Sequence, residues 1–250
     1  MDLRLDDTGF GGIEIFQNPQ EFCYGVDAVL LADFASKPPS AAKEKSRIID
    51  LGTGTGIVPL ILSHKTKAGE IMGVEVQEAS WKLAERNRVH NGLADRLKFI
   101  NCDINELKDE SLRGSFDIVT SNPPYTAGSC GIESANRAKM IARHETTASL
   151  DDFIARAAWL LRDKGDFYMV HRPGRLIDIC ESCRKHRLEP KELRFVSGKP
   201  MEKPNILLVH CVRNGKRQLK ILEPLAVRNE DGSYTDEICR IYEKTVEQTE

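Results

Sequence analysis

Ile48-Ile49-Asp50-Leu51-Gly52-Thr53-Gly54-Thr55-Gly56 reads as a short strand that turns through glycines into a helix. The run from Arg47 to Leu51 is β-branched and apolar, as a strand covered on both faces requires. Ile57 to His64 has the apolar character of the helix that follows. Glycines at 52, 54 and 56 permit a sharp turn and close backbone approach to a ligand. A dinucleotide site would ideally read G-x-G-x-x-G, its third glycine letting the helix pack closely on the sheet. Here the spacing is G-x-G-x-G, and Asp50 stands two residues before the first glycine. An acidic strand end beside a helix N-terminus suits a zwitterionic amino-acid moiety better than a pyrophosphate.

Outward from this stretch the alternation repeats. Glu70 to Glu75 reads as a second strand, and Ala79 to Asn91 as a helix closed by Gly92. Leu97 to Cys102 and Phe116 to Ser121 read as the third and fourth strands. Ser149, with Asp152 three residues on, caps a helix running through Phe153 to Leu161. Gly165 to His171 is a fifth strand and Arg175 to His186 a helix. Leu193 to Ser197 and Ile206 to Arg213 have no room for a helix between them, so they should pair as a hairpin. Repeated βα units imply an α/β, doubly wound, mostly parallel sheet, here of seven strands ending in an antiparallel hairpin. Pro38 to Ser46 reads as a polar linker. It divides an N-terminal appendage, residues 1–46, from a main domain, 47–250, that closes with a helix over Thr235 to Glu247.

Two more acids fall at strand ends. Glu75 ends the second strand, where its carboxylate can accept from both hydroxyls of a ribose. Asp103 follows the third strand, placed to accept from an adenine amino group. One such acid is commonplace on a loop; three at successive strand ends around a glycine turn are a site.

The fourth strand runs into Asn122-Pro123-Pro124-Tyr125. In a doubly wound fold that strand end faces the ligand crevice. Two prolines stiffen the turn and remove two N–H donors, leaving carbonyl acceptors. An exocyclic or amide nitrogen is a poor nucleophile, because its lone pair is delocalised into a π system. The Asn122 side-chain oxygen and the Pro123 carbonyl can hold its two hydrogens and favour a more tetrahedral nitrogen. Tyr125 can stack on the flat group, worth about 1–3 kcal/mol for a base. The pattern points to chemistry on a planar nitrogen, driven by positioning and oriented dipoles rather than a strong base.

Composition sets the outer limits. The chain has 250 residues, 40% hydrophobic and 30% charged, which suits a globular α/β domain with extensions. Its apolar runs are too short to cross a bilayer, and its first residues lack the basic and apolar regions of a secretory leader. A cytoplasmic protein is expected. Seven cysteines, an odd number, argue for reduced thiols. Cys180-x-x-Cys183 lies in a helical stretch without a second pair or a His cluster, so no metal is expected. Net charge is −2, but Arg172 to Lys220 holds thirteen Lys/Arg against five Asp/Glu. That surplus suits either a phosphate-facing patch or a solvated surface.

Asp50 to Gly56, Glu75 and Asp103 together resemble the S-adenosylmethionine site of class I methyltransferases, which share a Rossmann-like sheet with an antiparallel seventh strand. The resemblance implies S-adenosylmethionine as cofactor, with Asp50, Gly52, Thr53, Gly54 and Gly56 around its methionine end, Glu75 on the ribose, Asp103 on the adenine, and Asn122 among the cofactor-binding residues as well as the catalytic ones. The planar-nitrogen motif is shared by enzymes acting on adenine N6, protein glutamine and guanine N2. Three features separate them. Protein-glutamine enzymes carry a larger helical domain before the cofactor strand than the 46 residues found here. No separate target-recognition domain of the DNA-modifying kind is evident. Finally, Tyr24-Gly25-Val26-Asp27-Ala28 and Arg143-His144-Glu145 accompany Asn122 to Tyr125. This combination is similar to the tRNA1(Val) adenine-37-N6 methyltransferase family across nearly the whole chain. It implies an adenine beside the tRNA anticodon as target, with Gly25 and Asp27 lining the methionine pocket beneath the N-terminal segment. Unpaired loop bases splay out at low cost, which suits such a target. The stretch from Thr126 to Met140, with Arg137 and Lys139, reads as a loop able to order over it, and His144 as a lesser candidate base or phosphate contact.

Overall fold

A computed structural model describes residues 3–20, 23–124 and 148–244. The seven expected strands are present as β3 (Arg47–Leu51), β4 (Glu70–Glu75), β5 (Leu97–Asn101), β6 (Phe116–Ser121), β7 (Leu161–His171), β8 (Leu188–Ser197) and β9 (Ile206–Arg213). They lie side by side in the order β8-β9-β7-β6-β3-β4-β5. All neighbours are parallel except β9, which runs antiparallel between β7 and β8. The strand order reverses at β3, with β4 on one side and β6 on the other. Ligands bind at such a switch point, at the strands' carboxyl ends.

The sheet carries two strands more than the seven expected. β10 (Lys220–Ile221) and β11 (Leu225–Ala226) pair in parallel with the outer edge of β8. Two-residue strands are too short to leave a periodic pattern, yet they cover backbone groups that a bare edge would expose. β7 also starts earlier than its expected Gly165. Leu161 passes straight from helix to strand, and the register with β6 shifts between Phe116 and Ile118.

Helices cover both faces: α1 (Val26–Ala35), α2 (Ile57–Lys65), α3 (Glu78–His90), α4 (Leu150–Leu160) and α5 (Leu176–Lys185), with α6 (Asp236–Ile241) short and terminal. The Ser149 cap forms a full capping box with Asp152. α1 is apolar nearly all round, and Ala28 to Ala32, Phe34 and Ala35 are all buried, as expected of a helix enclosed by its neighbours. It packs on α2, β7 and β9. Lys65, the last residue of α2, reaches Asp33 near the end of α1 at 3.2 Å. The last turns of the two helices are thereby tied together.

The stretch from Pro38 to Ser46, polar in composition, is folded in. It holds a 3-10 turn (Pro39–Ala42), and Ser40, Ala41 and Ser46 are buried. Ahead of α1, β1 (Arg4–Asp7) and β2 (Glu14–Gln17) form a separate antiparallel hairpin. An asparagine of α3 and the one that caps its end hold it. Asn91 accepts from Glu14 N–H at 2.9 Å and Asn87 from Phe16 N–H at 2.7 Å.

Candidate functional site

The glycine turn is pinned from below. Gly52 N–H and Thr53 N–H both donate to the Val74 carbonyl at the end of β4, at 2.9 and 3.0 Å. Gly54 N–H donates to Glu75 Oε2 at 2.8 Å, and Gln77 N–H to Glu75 Oε1 at 2.9 Å. Glu75 thus shapes the turn.

The glycines divide by what surrounds them. Gly54 has φ +57°, and a Cβ there would meet nothing within 4 Å, so its backbone opens on the crevice. Gly56 has φ +87°, and a Cβ there would strike the Phe99 ring at 2.8 Å. Gly56 is required by the packing of α2 over β5, a different reason from the ligand approach its spacing suggests.

Asp50 is 2% exposed in β3, and the Thr120 hydroxyl donates to it at 2.6 Å. The register makes the pair, since Asp50 and Thr120 are cross-strand partners. Burial pushes the Asp50 carboxyl up to about 7. The Thr120 and Thr53 hydroxyls pull it down, and the negative charge of Glu75 raises it further. A cation placed beside this group would favour its ionised form.

Asp103 caps a short 3-10 turn, accepting from Asn105 N–H at 2.8 Å, and is half-buried. Asn101 donates to the Glu75 and Val76 carbonyls, at 2.8 and 3.1 Å, and fixes the end of β5 to that of β4. Asp50, Glu75 and Asp103 therefore stand along three adjacent strands, β3, β4 and β5.

Asn122 leaves the next strand on the other side. Leu51 pairs with Ser121, so Gly52 and Asn122 are the first residues beyond a matched pair of neighbouring strands. Asn122 is half-buried, Pro123 buried and Pro124 exposed. Tyr125, the 126–140 loop and Arg143-His144-Glu145 lie outside the described residues. Gly25 caps α1, and a Cβ there would meet the Asp27 carboxylate at 2.9 Å, so the two residues are in close approach.

The chain from Ala42 to Gly198 matches the family model described as a methyltransferase domain. The chain belongs to this methyltransferase family. Two relatives extend the similarity beyond the domain. The tRNA1(Val) (adenine(37)-N6)-methyltransferase of Porphyromonas gingivalis is 30% identical over 82% of this chain and 80% of its own. The protein of the same name from Serratia proteamaculans is 28% identical over 87% of this chain and 80% of its own. Among solved structures, a protein of Agrobacterium tumefaciens described as a "predicted O-methyltransferase" superposes with TM-score 0.68, at 21% identity over 87% of this chain and 95% of that one. The P. horikoshii TYW2 structure in complex with MeSAdo superposes with TM-score 0.58, at 14% identity over 85% and 72%. At these identities the structures show a shared fold.

The methyltransferase family uses S-adenosylmethionine as methyl donor, and this site fits it: an open glycine cradle at Gly54, a buried acid that a cation would ionise, and two further acids on successive strands.

Three residues of this methyltransferase site escaped the motif reading. Thr120 holds Asp50 and was hidden in an apolar strand. Asn87 is fully buried; besides Phe16 N–H it donates to the Phe16 carbonyl at 3.3 Å and the Thr55 carbonyl at 3.0 Å. It ties the N-terminal hairpin to the glycine turn, and its only signal was a polar residue four before Asn91 on one helix face. His171 ends β7, two residues beyond Met169, the partner of Ser121, and so lies level with Pro123. It is buried, and its Nδ1 accepts from Arg172 N–H at 2.8 Å. Burial, then the nearby Arg175 guanidinium, lower its pKa to about 4, so the ring is neutral near pH 7.

Among the described residues no helix is long and apolar enough to cross a membrane. Cys183 is buried with its sulfur 3.6 Å from that of Cys211, and Cys180 is half-buried beside them.

Proposed function

We propose that this methyltransferase transfers the methyl group of S-adenosylmethionine to the exocyclic N6 of an adenine in tRNA, at position 37 beside the anticodon. The observation that carries the reading is the placement of Asn122 level with Gly52 on the neighbouring strand. A planar nitrogen held at Asn122 and Pro123 then lies beside the cradle of the donor. The names of the relatives, similar over most of both chains, support tRNA as the substrate class.

The donor supplies an electrophilic methyl group on a sulfonium. Asp50, Gly52, Thr53 and Gly54 hold its methionine end, with Gly25 and Asp27 closing over it from the N-terminal segment. Glu75 accepts from the ribose and Asp103 from the adenine of the donor. The Asn122 amide oxygen and the Pro123 carbonyl accept the two hydrogens of the target amine, aim its lone pair, and so lower the barrier by positioning. Pro124 stiffens the turn and Tyr125 stacks on the flipped base. Such an enzyme works where tRNA matures, in the cytoplasm.

Mass spectrometry of tRNA nucleosides tests the reading. Unmodified total tRNA incubated with enzyme and donor should gain N6-methyladenosine in one species, mapped to position 37. Methyl transfer to protein glutamine, or to guanine, with adenine unchanged would overturn it.

A further inference from the structure

The basic surplus between Arg172 and Lys220 is split by the fold between two ends of the sheet. β8 runs toward the crevice end and β9 returns. Arg172, Arg175, Lys199 and Lys203 therefore lie toward the crevice. Arg184, Lys185, Arg187, Arg213, Lys216 and Arg217 gather at the opposite end. β9 has eight residues, so the two ends are separated by about 25 Å.

At that far end a groove of about 440 Å³ is lined by Arg184, Arg187, Glu189, Asn214 and Arg217. Its walls are built. Arg187 and Asn214 both have positive φ, at 62° and 50°, and Asn214 N–H donates to the Arg187 carbonyl at 2.8 Å. Asn214 also donates to Asp163 at 2.8 Å and its carbonyl accepts from Lys164. Glu189 holds Arg184 at 2.7 Å. Arg213, which is not among the lining residues, has a buried Nη1 with no hydrogen-bond partner. Desolvation and the positive charges of Arg113 and Arg187 weigh against it, partly offset by Asp163. Among the described residues no carboxylate lies within ion-pair distance of Arg187, Arg213 or Arg217. Guanidinium groups crowded together in this way are stabilised by an anion with several acceptor oxygens.

We propose that this groove binds backbone phosphates of the tRNA substrate, on helical parts of the molecule remote from the modified loop. The proposal rests on the tRNA reading above. An RNA whose loop enters the crevice carries phosphates along its whole length, and those some 25 Å or more from the loop are the ones that can reach this groove. The groove then adds affinity for the intact tRNA and takes no part in methyl transfer.

The test compares wild type with Arg187→Ala/Arg217→Ala on two RNAs, full-length unmodified tRNA and its isolated anticodon stem-loop. Lys43→Ala/Lys45→Ala, elsewhere on the surface, is the charge control. The groove variant should bind full-length tRNA about ten-fold more weakly at about 0.1 M salt, with the salt slope reduced by about two. Stem-loop affinity, kcat and melting temperature should match wild type, and the control should bind normally. Unchanged affinity for full-length tRNA would overturn the groove while leaving the tRNA reading intact. So would an equal loss on the stem-loop, or an equal loss in the control. If wild type binds and methylates neither RNA, the substrate reading itself has failed, and the groove proposal falls with it.

Discussion

Two groups of strands in one sheet gather opposite charges at opposite ends. At the carboxyl ends, Asp50, Glu75 and Asp103 crowd a crevice suited to a cationic donor. At the amino end of β8 and the carboxyl end of the reversed β9, arginines crowd a groove suited to a polyanion. A net charge of −2 conceals both. The difference teaches that the antiparallel insertion of β9 is more than a fold marker. By reversing direction, it carries Arg213 and Arg217 away from the crevice and brings them to Arg184 and Arg187. One end is organised for chemistry and the other for holding the substrate, so variants should separate turnover from RNA affinity.

The largest effect is expected from Asn122→Ala. Loss of one positioning acceptor should lower kcat by about 10³, while donor affinity by calorimetry stays within about two-fold. Equal loss of donor binding would contradict the separation. Next comes Asp50. Its raised pKa means that folding stability is fullest below the ordinary carboxylate range, near pH 4, and falls as pH rises toward 7. Asp50→Asn should therefore be more stable than wild type at pH 7.5, by at most about 4 kcal/mol. The gain should vanish near pH 4, and donor affinity should collapse. Melting curves across pH, alongside calorimetry, check both signs.

Asn87→Ala removes a buried side chain whose bonds serve Phe16 and Thr55. A cost of about 3 kcal/mol is expected, with faster proteolysis of the N-terminal hairpin and weaker donor binding. A full loss of stability with the hairpin still protected would mean that the two are uncoupled. The smallest effect at neutral pH is expected from His171→Asn. With its pKa lowered to about 4, His171 contributes stability that is present above its ordinary value near 6.5 and is lost as pH falls toward 4. The variant should lose less stability than wild type between pH 7 and pH 5, a difference read from paired melts.

Much of this was legible because strong periodic signals coincide with the site. β3, β4, β5 and β6 are short apolar runs, and each functional acid or amide sits where such a run ends. The rest depended on register, which no local pattern reveals. Thr120 matters because it pairs with Asp50 across β3 and β6. β1 and β2 have four residues each, too few to alternate convincingly. The arginine groove draws on residues from α5, β8 and the turn after β9, and joins them only through an antiparallel register.

Asn87 also has a consequence for the order in which the chain folds during synthesis. Phe16 leaves the ribosome 71 residues before its partner. At about 5–20 residues per second, the hairpin waits roughly 4–14 s for the helix that holds it. A two-stranded hairpin is marginally stable alone, so this segment cannot settle as soon as it is made. It does so when α3 arrives, and the same amide then locks the glycine turn.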